Sequence, residues 1–144
     1  PRYALPILGM VLGNGLNGAS LALDRFLGTV RREKDAIEAR LALGQSARLA
    51  LRPLMQDAAR SGMMTIVNNL SAAGIVWIPG IMTGQILAGM APEEAVKYQI
   101  MIMFLLAGAN ALGVVSVILL AGWRLTDKRH RLRLDRLQER DLRR

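Results

Sequence analysis

The sequence predicts an all-α membrane protein: three transmembrane helices, the second broken at Pro79-Gly80, with a helical cytoplasmic segment and a basic C-terminal tail. Three observations predict it. First, the 26 residues from Tyr98 to Trp123 carry no charge. At about 1.5 Å per residue, a helix of that length crosses a hydrocarbon layer roughly 30 Å thick. Second, two further uncharged stretches, Tyr3–Leu23 and Ser61–Pro92, run for 21 and 32 residues. Both exceed the ~18 residues that mark a span, and a single central charge would have cost ~2.5–3.5 kcal/mol. Third, the net charge of +8 is unevenly placed: Asp24–Arg60 holds eight basic and five acidic residues, and Arg124–Arg144 holds nine and four.

Basic connections stay on the cytoplasmic side. The segment 24–60 and the tail 124–144 are therefore inside and Glu93–Lys97 outside. The chain runs N-terminus out, three crossings (about 3–23, 61–90 and 98–123), C-terminus in. All of it belongs to one transmembrane domain. Aromatic content of only 4% fits helices that face lipid better than the core of a globule.

The first span contains Gly9, Gly13, Asn14, Gly15, Asn17 and Gly18. Gly9 and Gly13 form a small-residue pair that lets another helix come close. Asn14 and Asn17 share a helix face, and amides in lipid turn toward protein or a water-filled path. Interhelical hydrogen bonding is the plainer of those two readings. Gly13-x-Gly15-x-x-Gly18 also matches a dinucleotide fingerprint, with Glu38 twenty residues on. That site needs a parallel sheet, whereas the residues after Gly18 continue as membrane helix, so no nucleotide is expected.

Segment 24–60 reads as helices, with Leu27, Val30, Ile37 and Leu41 as an apolar stripe. Gly44 suits a helix end, Ser46 the N-cap of the next helix, and Pro53 should bend or divide that helix. In the second span, Pro79-Gly80 ends a helical pattern over Ser61–Ile78; the break lies at mid-membrane or, if Trp77 sits at the interface, near the outer surface. Pro92, with Glu93 and Glu94 behind it, starts the third helix. The leucines of the tail, set among nine basic residues, read as an anchor on anionic lipid rather than a nucleic-acid site, because no recognition motif accompanies them.

Enzyme constellations are missing. Cysteine is absent, His130 is the one histidine, and the three lysines follow no phosphate-binding glycine loop. No cofactor is expected. The amides Asn14, Asn17, Asn68 and Gln85 are costly against lipid. Together with Pro79, Gly80, Thr83 and Gly84 they form the candidate polar path. The Pro79-Gly80 break would free carbonyls as neutral ligands for a cation.

One cytoplasmic pattern has a known likeness. In EARLALG, Glu38 and Ala39 are followed by Gly44, which resembles the Glu-Ala-Ala…Gly loop by which ABC-transporter permeases dock on their ATPase subunits. Arg40 replaces the second alanine. The run IPGIMTGQILAGMAPEEAVKYQI (78–100), with LGMVLGNGLNGASLALDRF (8–26) and EARLALGQSA (38–47), is similar to the FetB-type permease family over nearly the whole chain. One departure is Thr65-Ile66-Val67-Asn68, where the family tends to read Pro-Thr-Ile-Asn.

The resemblance implies a plasma-membrane (bacterial inner membrane) permease that exports metal ion, iron in the first instance. It implies a separate ATP-binding subunit at Glu38, Ala39 and Gly44, a second permease copy, and further helices preceding Pro1. The other class of function the residues allow is a non-catalytic membrane scaffold, held by small-residue helix faces and a basic lipid anchor. Metal ligands themselves are not readable from the sequence.

Overall fold

The computed structural model describes residues 4–73 and 79–126. These form five helices: α1 (Ala4–Arg32), α2 (Lys34–Ala42), α3 (Ala47–Ala72), α4 (Gly80–Leu87) and α5 (Pro92–Leu125). The long helices α1, α3 and α5 pack against one another in all three pairings. Helix α4 rests on α5, and α2 lies at the opposite end of the bundle against α3 and α1. Trp77, His130 and all of the tail beyond Thr126 lie outside the described residues.

Two helices, α1 from Leu5 to Arg32 and α5, are long and apolar enough to cross a membrane. Both run past the expected span limits into charged sequence without a break. In α1 the fingerprint glycines 13, 15 and 18 sit inside continuous helix, so there is no strand–turn–helix to hold a nucleotide. Pro92 opens α5 with Glu93 and Glu94 in its first turn, as the sequence indicated.

The second expected span is not one helix. α3 begins among charges at Ala47, ends at Ala72, and gives way to extended backbone at Ala73 (φ −66°, ψ 131°). The helix therefore stops before the Pro79-Gly80 break that the pattern suggested. Asn68, Asn69 and Ser71 weaken this turn, because their side chains compete for backbone hydrogen bonds. Pro79 is instead the residue that caps α4. Pro53, expected to bend or divide the preceding helix, lies within α3 and does not divide it. The carbonyl left without an N–H partner belongs to Leu49, which is exposed near the helix start and open to solvation.

Two left-handed glycines turn the chain. Gly44 (φ +86°) ends α2, with its N–H bonding Leu41 O at 3.0 Å and the N–H of Gln45 bonding Arg40 O at 3.2 Å. Gly89 (φ +91°) repeats this after α4, with its N–H on Ile86 O and that of Met90 on Gln85 O, both at 3.0 Å. Such caps need a residue without a Cβ penalty at positive φ. Ser46 occupies the N-cap of α3 but makes no side-chain capping bond.

Two kinds of packing hold the bundle. At the α2 end Phe26, Val30, Ile37 and Leu51 are fully buried, with Leu27 and Leu41 packed on them. Charges surround this end, so water drives the burial, worth about 1.5–3 kcal/mol for each large side chain. Farther up, lipid tails are as apolar as leucine and close approach matters more. There the contacts are small: Gly15 meets Ala109 and Gly113, and Gly18 meets Gly62. Among the described residues nothing lies within 4 Å of a Cβ placed at Gly9 or Gly13. The pair picked from the sequence is therefore not the one that packs within this chain.

Candidate functional site

Three polar levels lie along the bundle. The middle one is Asn110, which is 98% buried at the centre of the uncharged stretch of α5. Its Nδ2 donates to Gly62 O at 3.3 Å and approaches Met63 Sδ at 3.5 Å. Gly18 makes room for this amide, since a Cβ there would overlap it. The node ties all three long helices together at one height. Sequence reading passed over Asn110; the available signal was a lone amide midway between Tyr98 and Trp123.

At the α4 end a cavity of about 440 Å³ opens between α1, α4 and α5. Its walls are mostly apolar (Ile7, Ile81, Met101, Ile102), with Gly84, Gln85, Met90 and Tyr98 among them. Gln85 is buried, and its Oε1 has no hydrogen-bond partner among the described residues; Gln99 Oε1, also buried, has none there either. Leaving a buried acceptor unpaired costs about 1–3 kcal/mol. Gln85 lines the cavity, whereas Gln99 is not among the residues of its walls.

The other expected path residues are dispersed. Asn14 is half-buried, and its Nδ2 donates to Met10 O of its own helix at 2.9 Å. Asn17 and Asn68 are exposed. No interhelical hydrogen bond of Asn14 or Asn17 is present among the described residues. Pro79 is buried, and Gly80 and Thr83 are exposed. The Pro79 carbonyl accepts the Thr83 N–H at 3.1 Å and the Thr83 hydroxyl at 3.3 Å. That oxygen is committed to the first turn of α4, which leaves Gln85 as the open acceptor. Structure thus brings Gly84 and Gln85 to one cavity and keeps the three asparagines off its walls.

The third level is α2. Ile37 fastens it to the core, and Arg40 Nη1 reaches Ala50 O at 3.4 Å across to α3. Glu38, Ala39 and Gly44 are all exposed, and Leu43 stands out 86% exposed beside Gly44. Glu38 holds only a long ion pair to Lys34, at 3.9 Å. The result is a short helix packed on α3 and α1 that leaves a carboxylate and an apolar tip exposed. One feature of this end joins residues 32 apart: Arg25 Nε donates to Asp57 Oδ2 at 3.0 Å, linking α1 to α3. Nothing local in the sequence signals that pair.

Among the described residues no cluster of three or more His, Cys, Asp or Glu side chains could cage a metal.

Residues 1–125 match the model of an uncharacterised protein family, UPF0014. A UPF0014 membrane protein of Synechocystis is 38% identical over 81% of this chain and 45% of its own length. The probable iron export permease protein FetB of Escherichia coli is 31% identical over 96% of this chain and 54% of its own. The UPF0014 membrane protein YjkA of Bacillus subtilis is 36% identical over 83% and 48%. The chain thus spans about half the length of these curated relatives. No solved structure matches.

Proposed function

The chain belongs to the UPF0014 family, and we propose that it works as part of the permease of an ABC transporter. In this reading it exports metal ion, iron by analogy with the Escherichia coli relative, across the plasma membrane. A separate subunit hydrolyses ATP. The observation that carries the reading is α2: a nine-residue helix braced on the long helices, with Glu38, Ala39, Leu43 and Gly44 facing outward. A docking helix has to be rigid where it is held and bare where it is gripped, and α2 is both.

Glu38→Arg and Gly44→Leu test it. The first reverses a charge at the grip; the second forces a β-carbon into positive φ, costing about 1–2 kcal/mol and displacing Leu43. Each is expected to weaken capture of the ATP-binding subunit roughly thirtyfold, as loss of an interface hot spot does, while membrane insertion is unchanged. If both variants retain the ATPase, docking lies elsewhere, nearer Pro53.

The reading also fixes an orientation, with α2 cytoplasmic and the α4 end outside. Because the chain has no cysteine, single cysteines at Arg32 and Glu94 can be labelled separately. Both positions are exposed, at opposite ends of the bundle. An impermeant thiol reagent added to intact cells should reach position 94 alone; equal labelling would overturn the orientation. A second permease copy completes the proposal. Leu5, Leu8, Leu12 and Leu16 are exposed along α1 beside the unfilled Gly9 and Gly13, a face suited to another helix.

A further inference from the structure

Between α3 and α5, at the α2 end, a groove of about 430 Å³ has arginines on its rim and hydrocarbon on its floor. Arg48 and Arg52 form the rim; Met55, Val115, Ile118 and Leu119 are among the residues of the floor. The two arginines stand four residues apart on one face of α3. No carboxylate lines the groove. Neighbouring cations are engaged: Arg25 with Asp57, Lys34 with Glu38 and Arg40 with the Ala50 carbonyl. Arg48 and Arg52 have no ion-pair partner among the described residues. They are long guanidinium side chains over an apolar trough, with no carboxylate beside them among the described residues.

Depth makes the chemistry specific. Arg48 shares a hollow with Gly122 and Trp123, where the uncharged stretch of α5 ends, so its guanidinium stands where that stretch meets the headgroup layer. Arg52 is one turn farther along α3, and Val115, Ile118 and Leu119 carry the floor back into the uncharged stretch of α5. An adjoining hollow shares Arg48, Met55 and Leu119 and adds Trp123, an indole suited to the same interfacial layer.

We propose that this groove binds an anionic phospholipid from the leaflet on the α2 side. Its phosphate bridges Arg48 and Arg52, and one acyl chain lies along Val115, Ile118 and Leu119. Guanidinium groups read phosphate through paired N–H donors, and a basic pocket between spanning helices is where such headgroups collect. The site needs only that the bundle spans a bilayer; it does not depend on transport. Its rim and floor residues lie on α3 and α5, not in the tail sequence 127–144.

Trp123 reports on it. In a Trp77→Phe background it is the sole tryptophan of the chain. The protein is reconstituted into phosphatidylcholine vesicles containing increasing brominated phosphatidylglycerol or brominated phosphatidylcholine. At about 1 kcal/mol per arginine, the brominated anionic lipid should quench half-maximally at roughly thirtyfold lower mole fraction than the zwitterionic one. Arg48→Gln with Arg52→Gln should bring the two lipids to parity. Arg48→Lys with Arg52→Lys, keeping the charge, should retain most of the preference and confirms that the fold survives change at these positions. Equal quenching by both lipids in the unsubstituted arginine background would overturn the proposal. So would a preference that persists in the glutamine pair, which would assign it to the tail. A glutamine pair that keeps the preference yet loses the ATPase would assign the arginines to an acidic protein surface instead, and also overturns it.

Discussion

Leucine at Gly62 is expected to keep the three long helices from closing on one another. A Cβ there falls 2.7 Å from Ala22 Cβ, 2.8 Å from Gly18 O and 2.9 Å from Val114 Cγ2. Neither a backbone oxygen nor an alanine methyl on a packed helix can swing aside as the tip of a long side chain would. Overpacking of this kind costs about 1–3 kcal/mol and occasionally more, and in lipid no hydrophobic force between helices compensates. The upper end of that range is the expected value. The thermal midpoint of the detergent-solubilised protein should fall by roughly 10 °C, at 2–4 °C per kcal/mol for a chain near this size. Gly108→Leu is the control: among the described residues nothing lies within 4 Å of a Cβ there, and its midpoint should be unchanged. Equal midpoints for the two variants would mean that Gly62 is not the contact that sets helix spacing.

Gln85→Leu is expected to abolish transport while leaving the protein as stable as before, or more so. Gln85 Oε1 is buried and unpaired, so exchanging the amide for a hydrocarbon of similar size removes a desolvation penalty and loses no hydrogen bond of that oxygen. Destabilisation therefore cannot be the cause if activity disappears. Metal efflux from cells expressing the variant should drop at least tenfold, with ATPase capture intact, because α4 and α2 sit at opposite ends. Gly80→Leu tests the neighbouring break. Among the described residues nothing lies within 4 Å of a Cβ at position 80, so a transport defect there is expected to come from stiffening the start of α4. Normal efflux in both variants would reduce the Gln85 cavity to a packing feature.

Much of this architecture was legible in the sequence. The uncharged stretch 98–123 became the body of α5, Pro92 began it, and Gly44 and Ser46 bracketed the turn into α3. Those features rest on signals that act locally: absence of charge, a fixed proline φ, a glycine at positive φ. What escaped was the choice of face. Hydropathy scores the four glycines alike, so it cannot say which of Gly9, Gly13, Gly15 and Gly18 meets another helix. For the same reason Asn14 and Asn17 drew attention while Asn110, the amide that joins α3 to α5, did not. The early end of α3 was hidden because Ser61–Ile78 is a continuous apolar pattern. Its weak point, the Asn68-Asn69 and Ser71 turn, is a matter of backbone competition that hydropathy ignores. The Arg25–Asp57 bridge is a product of tertiary packing alone. Of the candidate site, Glu38, Ala39 and Gly44 were picked by their likeness to a permease docking loop and Gln85 by its amide in an uncharged stretch; their exposure and burial came only from packing.

The central claim is that this chain moves metal out of the cell only when a separate ATPase drives it. Inside-out membrane vesicles measure that directly, because export from the cell becomes accumulation in the vesicle. With the permease and its ATP-binding partner co-expressed, vesicles given ATP should accumulate radioactive iron. Accumulation should vanish without ATP, without the partner, and with Glu38→Arg. Iron uptake that is the same with and without this chain, or that persists when the partner is removed, would contradict the account.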